Sequence, residues 1–331
     1  MKNNNTKELL NPLHTAGKKN FPQLSAIYQD PHHYPVGVTY LDKQYVPISQ
    51  AKISVLDQGF LHSDATYDVM HAWKGRLFRP ELYLERFFTG LDKLQMSITY
   101  SREEVLEIVL NTIALSGLKD AYIELVCTRG CSPTFSRDPR EAINRFMVFV
   151  VPFSSVANAV QLERGLHIAI SARSRISPSS VDPTVKNYHW LDLIGGLYDA
   201  YEKQAENALL LDDRGNISEG PGFNVFVVKG RQLATPDYSV LLGVTRRSVM
   251  HICQFKGFDC CARAITVDEL LAADEIFITS TAGGVMPVTK VNQSLIGDGQ
   301  VGTITKEIKQ IYWDKHTSDE WSMSISYPDS E

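Results

Sequence analysis

The stretch Val185-Lys186-Asn187-Tyr188-His189-Trp190 decides the reading of this chain, together with Ile217-Ser218-Glu219-Gly220-Pro221-Gly222-Phe223-Asn224, about thirty residues further on. Lys186 lies between a proline-bearing turn, Asp182-Pro183-Thr184, and an apolar helical run that starts near Trp190. An amine held in a partly dry pocket loses its proton and attacks an aldehyde, so Lys186 is a candidate Schiff-base residue. Glu219 stands at a turn just ahead of the apolar strand Phe223–Val228. A carboxylate at a strand entrance is placed to hold a protonated pyridine nitrogen. Lysine plus carboxylate is the minimum equipment for pyridoxal phosphate chemistry. Each also has a plainer reading, since a lysine near a turn is usually a solvated surface group.

Outward from this stretch, composition sets bounds. The 331 residues, 44% apolar and 21% charged, are those of an ordinary globular protein with room for two domains. A net charge of −5 gives no electrostatic case for nucleic acid or an anionic membrane. No apolar run approaches the ~20 residues that span a bilayer. The N-terminus is polar and unlike a signal peptide. The five cysteines include no metal-type pair and read as reduced thiols in a cytoplasmic protein.

The chain divides into an N-terminal arm (1–30), a small α/β domain (31–151), a linker (152–158) and a larger domain (159–331). In the small domain, 36–48 reads as a hairpin turning at Asp42-Lys43. The segment from Ile53 is expected to begin as a strand, pass a Gly-centred loop and resume as a strand to Trp73. Leu84, Phe87, Phe88, Leu91 and Leu94 form one apolar helical face, and a second helix covers 102–116. Two strands follow, 121–128 and 145–153, separated by a long polar loop, 129–143. In the larger domain, shorter strands alternate with helices. Asp212-Asp213-Arg214-Gly215-Asn216 reads as a hairpin turn answered by Phe223–Val228. A helix is expected from Gly243-Val244-Thr245 to a stop at Gly257. Thr266 and Glu269 have capping-box spacing, a strand covers 275–280, and a last helix covers 304–315.

Val244 and Thr245 open a helix, where free amides and a hydroxyl suit a phosphate; the plainer reading is a self-capping threonine. Ser280-Thr281-Ala282-Gly283-Gly284 is either a second anion cup or merely a tight turn. Arg86 falls on a mostly apolar helix and needs a partner, either a phosphate or a nearby acid. The histidines show no metal-ligand spacing, and no GxSxG elbow is present.

Taken in order and spacing, these pieces resemble the fold type IV pyridoxal phosphate family, which includes the branched-chain and D-amino acid aminotransferases. The resemblance spans roughly Gly37 to Trp313 and is nearest to the (R)-selective amine transaminases. It is carried by Ser54–Asp64, Thr66–Val69, Asp182–Asn187, Glu219-Gly220, Gly222-Phe223-Asn224 and Thr281–Gly284. It implies a two-domain α+β or α/β fold, with a small α/β N-terminal domain and a larger C-terminal domain with a β-barrel-like core. It also implies a homodimer with active sites near the subunit interface. Lys186 would bind the cofactor aldehyde and shuttle the proton, and Glu219 would hold the pyridine nitrogen. Arg86, Val244, Thr245 and Thr281 would hold the phosphate.

One position bears on substrate class. Branched-chain relatives carry an arginine in a Tyr-x-Arg pattern, where this chain has Tyr122-Ile123-Glu124. A glutamate there repels a carboxylate, which argues against α-amino acids as the only substrates and for amines lacking a carboxylate; the resemblance implies a primary (R)-amine as donor and pyruvate as acceptor, giving ketone and D-alanine. Arg137 resembles the mobile arginine that takes the keto-acid carboxylate, with Arg129 and Arg140 as competitors. His62, Tyr67, Val69, Tyr122, Trp190 and Ala282 would line the rest of the pocket. Three residues depart from the family pattern and bear on substrate range: Pro221, His189, and Leu191, which is expected to narrow or reshape the pocket. Alternatives are a D-amino acid or branched-chain aminotransferase, an aminodeoxychorismate-lyase-like eliminase, and a non-catalytic binding protein.

Overall fold

Strands β1 (Val38–Leu41) and β2 (Gln44–Pro47) form the expected hairpin. Asp42 and Lys43 both take positive φ, 50° and 64°, as a two-residue turn matched to strand twist requires. They join β3 (Ala65–Trp73), β4 (Arg76–Phe78), β5 (Ala121–Cys131) and β6 (Ile143–Pro152) in an antiparallel sheet ordered β4-β3-β5-β6-β1-β2. These coordinates are a computed structural model describing residues 35–328, so the expected arm, 1–30, lies outside the described residues.

Alternation along β5 decides what each face does. Ala121, Ile123, Leu125 and Cys127 are fully buried in one core. Also in that core are Leu84, Phe87 and Leu91 of the helix Pro80–Lys93 and Val105, Val109 and Ile113 of the helix Arg102–Ser116. The other face carries Tyr67, Val69, Tyr122 and Val126 in a separate cluster. This second face looks toward the rest of the chain and becomes one wall of the site.

One expectation fails here. Residues 53–56 are not a strand; Ile53, Val55 and Leu56 are exposed and pair with no strand among the described residues. The loop after them is a short helix, α1 (Gln58–His62), started by the Asp57 carboxylate accepting from the Gly59 N–H at 2.8 Å. The two later helices of this unit, at 80–93 and 102–116, are α2 and α3.

After α4 (Ala159–Arg164) the second sheet is built from β7 (Leu166–Ser174), β8 (Asn207–Leu211), β9 (Asn224–Lys229), β10 (Gln232–Thr235), β11 (Asp259–Ala262), β12 (Glu275–Ser280) and β13 (Gly284–Val291). Its order is β11-β10-β9-β12-β13-β7-β8, curled into a half-barrel, with β14 (Ser294–Leu295) paired to β13. Strand β9 reads as a continuous apolar run because both of its faces are buried. Val225 and Val227 face one core, and Phe226 stacks on Phe277 at 4.9 Å in the other. Helices α5 (Leu191–Glu202), α6 (Val244–Lys256), α7 (Val267–Leu271) and α8 (Thr303–Asp314) cover the sheet.

The turn at 212–216 does not close a hairpin with β9. It makes a single bridge, Leu211 to Ile217, while β9 pairs with β10 and β12. Strand β8 is the far edge strand, parallel to β7, so 217–223 crosses to the sheet centre and carries Glu219 with it. At α7, Thr266 accepts from the Glu269 N–H, but the Glu269 carboxylate turns to Arg263, so only half of the capping box forms.

The last strand, β15 (Ser322–Ser324), pairs with β4 of the first sheet. The C-terminal residues therefore serve the first sheet rather than the unit expected at 159–331. Close to this return, His71 of β3 and His316 meet Nε2 to Nε2 at 2.6 Å, both fully buried. Phe78, Phe153 and Trp313 surround His71, and Phe78 stacks on His316 at 3.9 Å.

Candidate active site

Lys186 sits on a loop between the two sheets, and its backbone is stitched to β3. Its carbonyl accepts from the Tyr67 N–H at 3.1 Å and from the Thr66 hydroxyl at 2.9 Å. Lys93 of α2 reaches across to Asp182 and Thr184 and holds the start of the same loop. The amine Nζ lies 4.3 Å from the centre of the Tyr67 ring, and no carboxylate lies within 4.0 Å of it among the described residues.

Glu219 is fixed from three sides. One oxygen accepts from Arg175 at 3.1 Å; the other accepts from the Leu241 N–H at 2.9 Å and from the Asn224 amide at 3.4 Å. Burial pushes its carboxyl up from the usual range, against the opposing pull of Arg175, the Leu241 N–H and Lys186. Arg175, which also pairs with Asp192, gave no signal in the sequence. It follows Arg173 two residues later, and Arg173 is an ordinary half-exposed partner of Asp199.

The opposite end of the site is an anion cradle. Gly243 precedes α6 without any side-chain cap, so the first amides at buried Val244 and Thr245 are not taken up by one. A methyl group on Gly243 would meet Asn224 Oδ1 at 2.2 Å, which explains the glycine. Arg86 comes from α2, fixed bidentately by buried Asp68 at 2.7 and 2.8 Å. Thr281 follows β12, and its hydroxyl shares a hydrogen bond with Tyr83 at 3.0 Å. A cavity of about 210 Å³ connects Lys186, Glu219, Arg86, Val244, Thr245 and Thr281.

Residues 65–291 match the family "Amino-transferase class IV". That span covers more than half of the chain. The chain belongs to the class IV aminotransferases. A Methanocaldococcus jannaschii protein, provisionally named a branched-chain-amino-acid aminotransferase, is 32% identical over 86% of this chain and 98% of its own length. The D-alanine aminotransferase of Staphylococcus epidermidis is 28% identical over 82% of this chain and 95% of its own length. The branched-chain aminotransferase of Thermoproteus uzoniensis, solved with norvaline, superposes with a TM-score of 0.81 at 25% identity, covering 87% of this chain and 99% of that one.

For a class IV aminotransferase the expected pyridoxal 5′-phosphate can be tested against the residues present. Two buried polar atoms of cavity-lining residues, Arg175 Nε and Thr279 Oγ1, have no protein partner. An amine, a buried carboxylate and an uncapped helix start share one cavity, and this donor set matches an aldehyde, a pyridine nitrogen and a phosphate. The residues fit the group, and pyridoxal 5′-phosphate is the cofactor of this enzyme.

Tyr67, Val69, Tyr122, Trp190 and Ala282 all line the same cavity, as do the unusual Pro221 and His189. His62 and Arg137 do not; both are exposed. Glu124 is not a lining residue either. It lies behind the wall, accepting from Tyr122 at 2.8 Å and Tyr188 at 2.7 Å. Leu191 does not narrow the pocket: it is 87% exposed, because the first turn of α5 points it outward. Arg129 is used elsewhere, bound to Asp64 and to the carbonyls of Leu94 and Gln95, and exposed Arg140 pairs with Asp138. Asn224, Thr279 and the linker residue Val156 also line the cavity, and sequence reasoning gave them no role there.

Proposed function

We propose that this aminotransferase takes its amino group from a primary (R)-amine without a carboxylate and passes it to pyruvate, giving ketone and D-alanine. One observation carries the reading. Both guanidinium groups on the cavity wall are already paired, Arg86 with Asp68 and Arg175 with Asp192 and Glu219. At the position where branched-chain relatives resembling this chain carry arginine, Glu124 is buried instead. Within one subunit an α-carboxylate would therefore meet the aromatic walls Tyr67, Tyr122 and Trp190 and would depend on a cation from outside this wall. The (R) sense rests on the resemblance of the motifs.

The bound cofactor supplies an aldehyde for amine capture and a ring that accepts electrons. The protein's own groups do the rest. Lys186 Nζ, supported on the Tyr67 ring, takes and returns the proton at the substrate carbon. Glu219, kept in place by Arg175 and the Leu241 N–H, would hold the ring nitrogen. The uncapped first turn of α6, with Arg86 and Thr281, would hold the phosphate. Donor and acceptor take turns in one cavity, so kinetics are ping-pong.

The acceptor carboxylate still needs a cation, and Arg137 is exposed with no acidic partner within 4.0 Å among the described residues. A homodimer that brings Arg137 and His62 against the partner subunit's cavity answers this. Supporting it, α5 exposes Leu191, Ile194, Tyr198 and Tyr201 as one helical stripe, and Val55, Leu56, Phe60 and Leu61 are exposed beside His62. The test is steady-state rates with pyruvate and (R)-1-phenylethylamine, its (S)-enantiomer or D-glutamate as donor. Turnover confined to the (R)-amine is expected; turnover of D-glutamate alone would overturn the substrate assignment.

A further inference from the structure

Glu124 is a buried carboxylate that the mechanism above does not use. Its neighbours on the adjoining strands are Val69 of β3 and Phe149 of β6, and it is 8% exposed. Among the described residues it has no ion-pair partner within 4.0 Å; two phenols, Tyr122 and Tyr188, donate to its two oxygens. Burying a carboxylate on such support is costly, and an uncharged side chain would fill the space more cheaply. The charge therefore needs a reason.

The contacts lead to Lys186. Tyr188 lies face to face with Tyr67, ring centres 4.3 Å apart and 9° from parallel, and the Lys186 amine rests on the other ring of that stack, Tyr67. The Trp190 indole N–H donates to the Tyr67 hydroxyl at 3.1 Å, which fixes that ring from a second side. The titratable groups around Glu124 are Asp68 on β3, Tyr122 on its own strand, and Tyr188 and Lys186 on the loop, and Asp68 is paired with Arg86.

We propose that Glu124 is a positioning residue for Lys186: it pins Tyr188 and Tyr122 and thereby sets the tyrosine stack under the amine. This rests on the reading of Lys186 as the cofactor-bearing lysine. Removing the Glu124 carboxylate or the Tyr188 hydroxyl loosens the stack from either end of the same hydrogen bond.

The experiment measures kcat and KM for pyruvate, with the visible absorbance of the reconstituted enzyme, in wild type, E124Q, E124D, Y188F and K186A. E124Q and Y188F are each expected to lower kcat about three- to tenfold with KM unchanged, the pattern of lost alignment. E124D restores at least half of the loss. Wild-type kcat in E124Q overturns the proposal. Should E124Q fail to fold, Y188F decides, and wild-type kcat in Y188F overturns it. K186A separates the two readings: a lysine-bound absorbance band that survives K186A refutes the Lys186 assignment itself.

Discussion

Acidification should destabilise this enzyme through the His71–His316 pair. Burial holds His71 well below its usual value, with the charge of His316 as the second cause, and burial lowers His316 to about 4. Both groups therefore take up a proton more readily in the unfolded chain. Stability is full above about pH 6.5 and is lost as pH falls from there toward about pH 4. At pH 5.0 the His316 difference alone amounts to about 2 kcal/mol, and His71 adds up to a similar amount. A loss of that order matters against the ~5–15 kcal/mol of a typical domain. Asp138, held down to about 2 by Arg140, changes charge below this window. Buried Glu124 and Glu219, pushed up, act in the opposite sense. The histidine share is isolated by comparing wild type with the double variant H71L/H316L. Urea unfolding at pH 7.5 and 5.0 is followed by tryptophan fluorescence, for which Trp313 lies 4.7 Å from His316. Wild type should lose about 2–4 kcal/mol more on acidification than the double variant. Equal losses would refute the reasoning, whatever the absolute stability of the variant.

Three further changes test the site. Arg175→Met should destabilise the fold by about 3 kcal/mol or more, since Asp192 and Glu219 would lose their buried partner; thermal unfolding checks this. Gly243→Ala should weaken cofactor retention at least tenfold, read by dialysis and absorbance, because its methyl displaces Asn224 from Leu241 and Glu219. Lys93→Ala should cost less than about 0.5 kcal/mol of stability, being a half-exposed ion pair, yet lower kcat by loosening the loop that carries Lys186.

Much of this was legible because local rules and tertiary structure agree. Helices α2 and α3 announce themselves by apolar spacing, and α3 by the Ser101 and Glu104 box, which forms in full. Gly257, at φ 69°, ends α6 where the sequence places the stop. Legibility fails where pairing partners lie far off in sequence. Nothing local says that β9 pairs with β12, fifty residues away, rather than answering the turn before it. The burial of Glu124 depends on Tyr188, sixty-four residues on, and a strand pattern cannot show whether a glutamate faces ligand or hides behind a tyrosine. Arg175 and Arg173 look alike in sequence and differ only in what lies opposite.

A lysine-held cofactor that reacts with an amine lacking a carboxylate has a direct spectral signature. The most direct measurement is the absorbance of the reconstituted enzyme near ~400–420 nm before and after (R)-1-phenylethylamine, its (S)-enantiomer and D-alanine, each added without acceptor. Bleaching by the (R)-amine and by D-alanine, the product run backwards, but not by the (S)-amine, is the predicted result. Bleaching by D-alanine while both amines leave the band intact would contradict it.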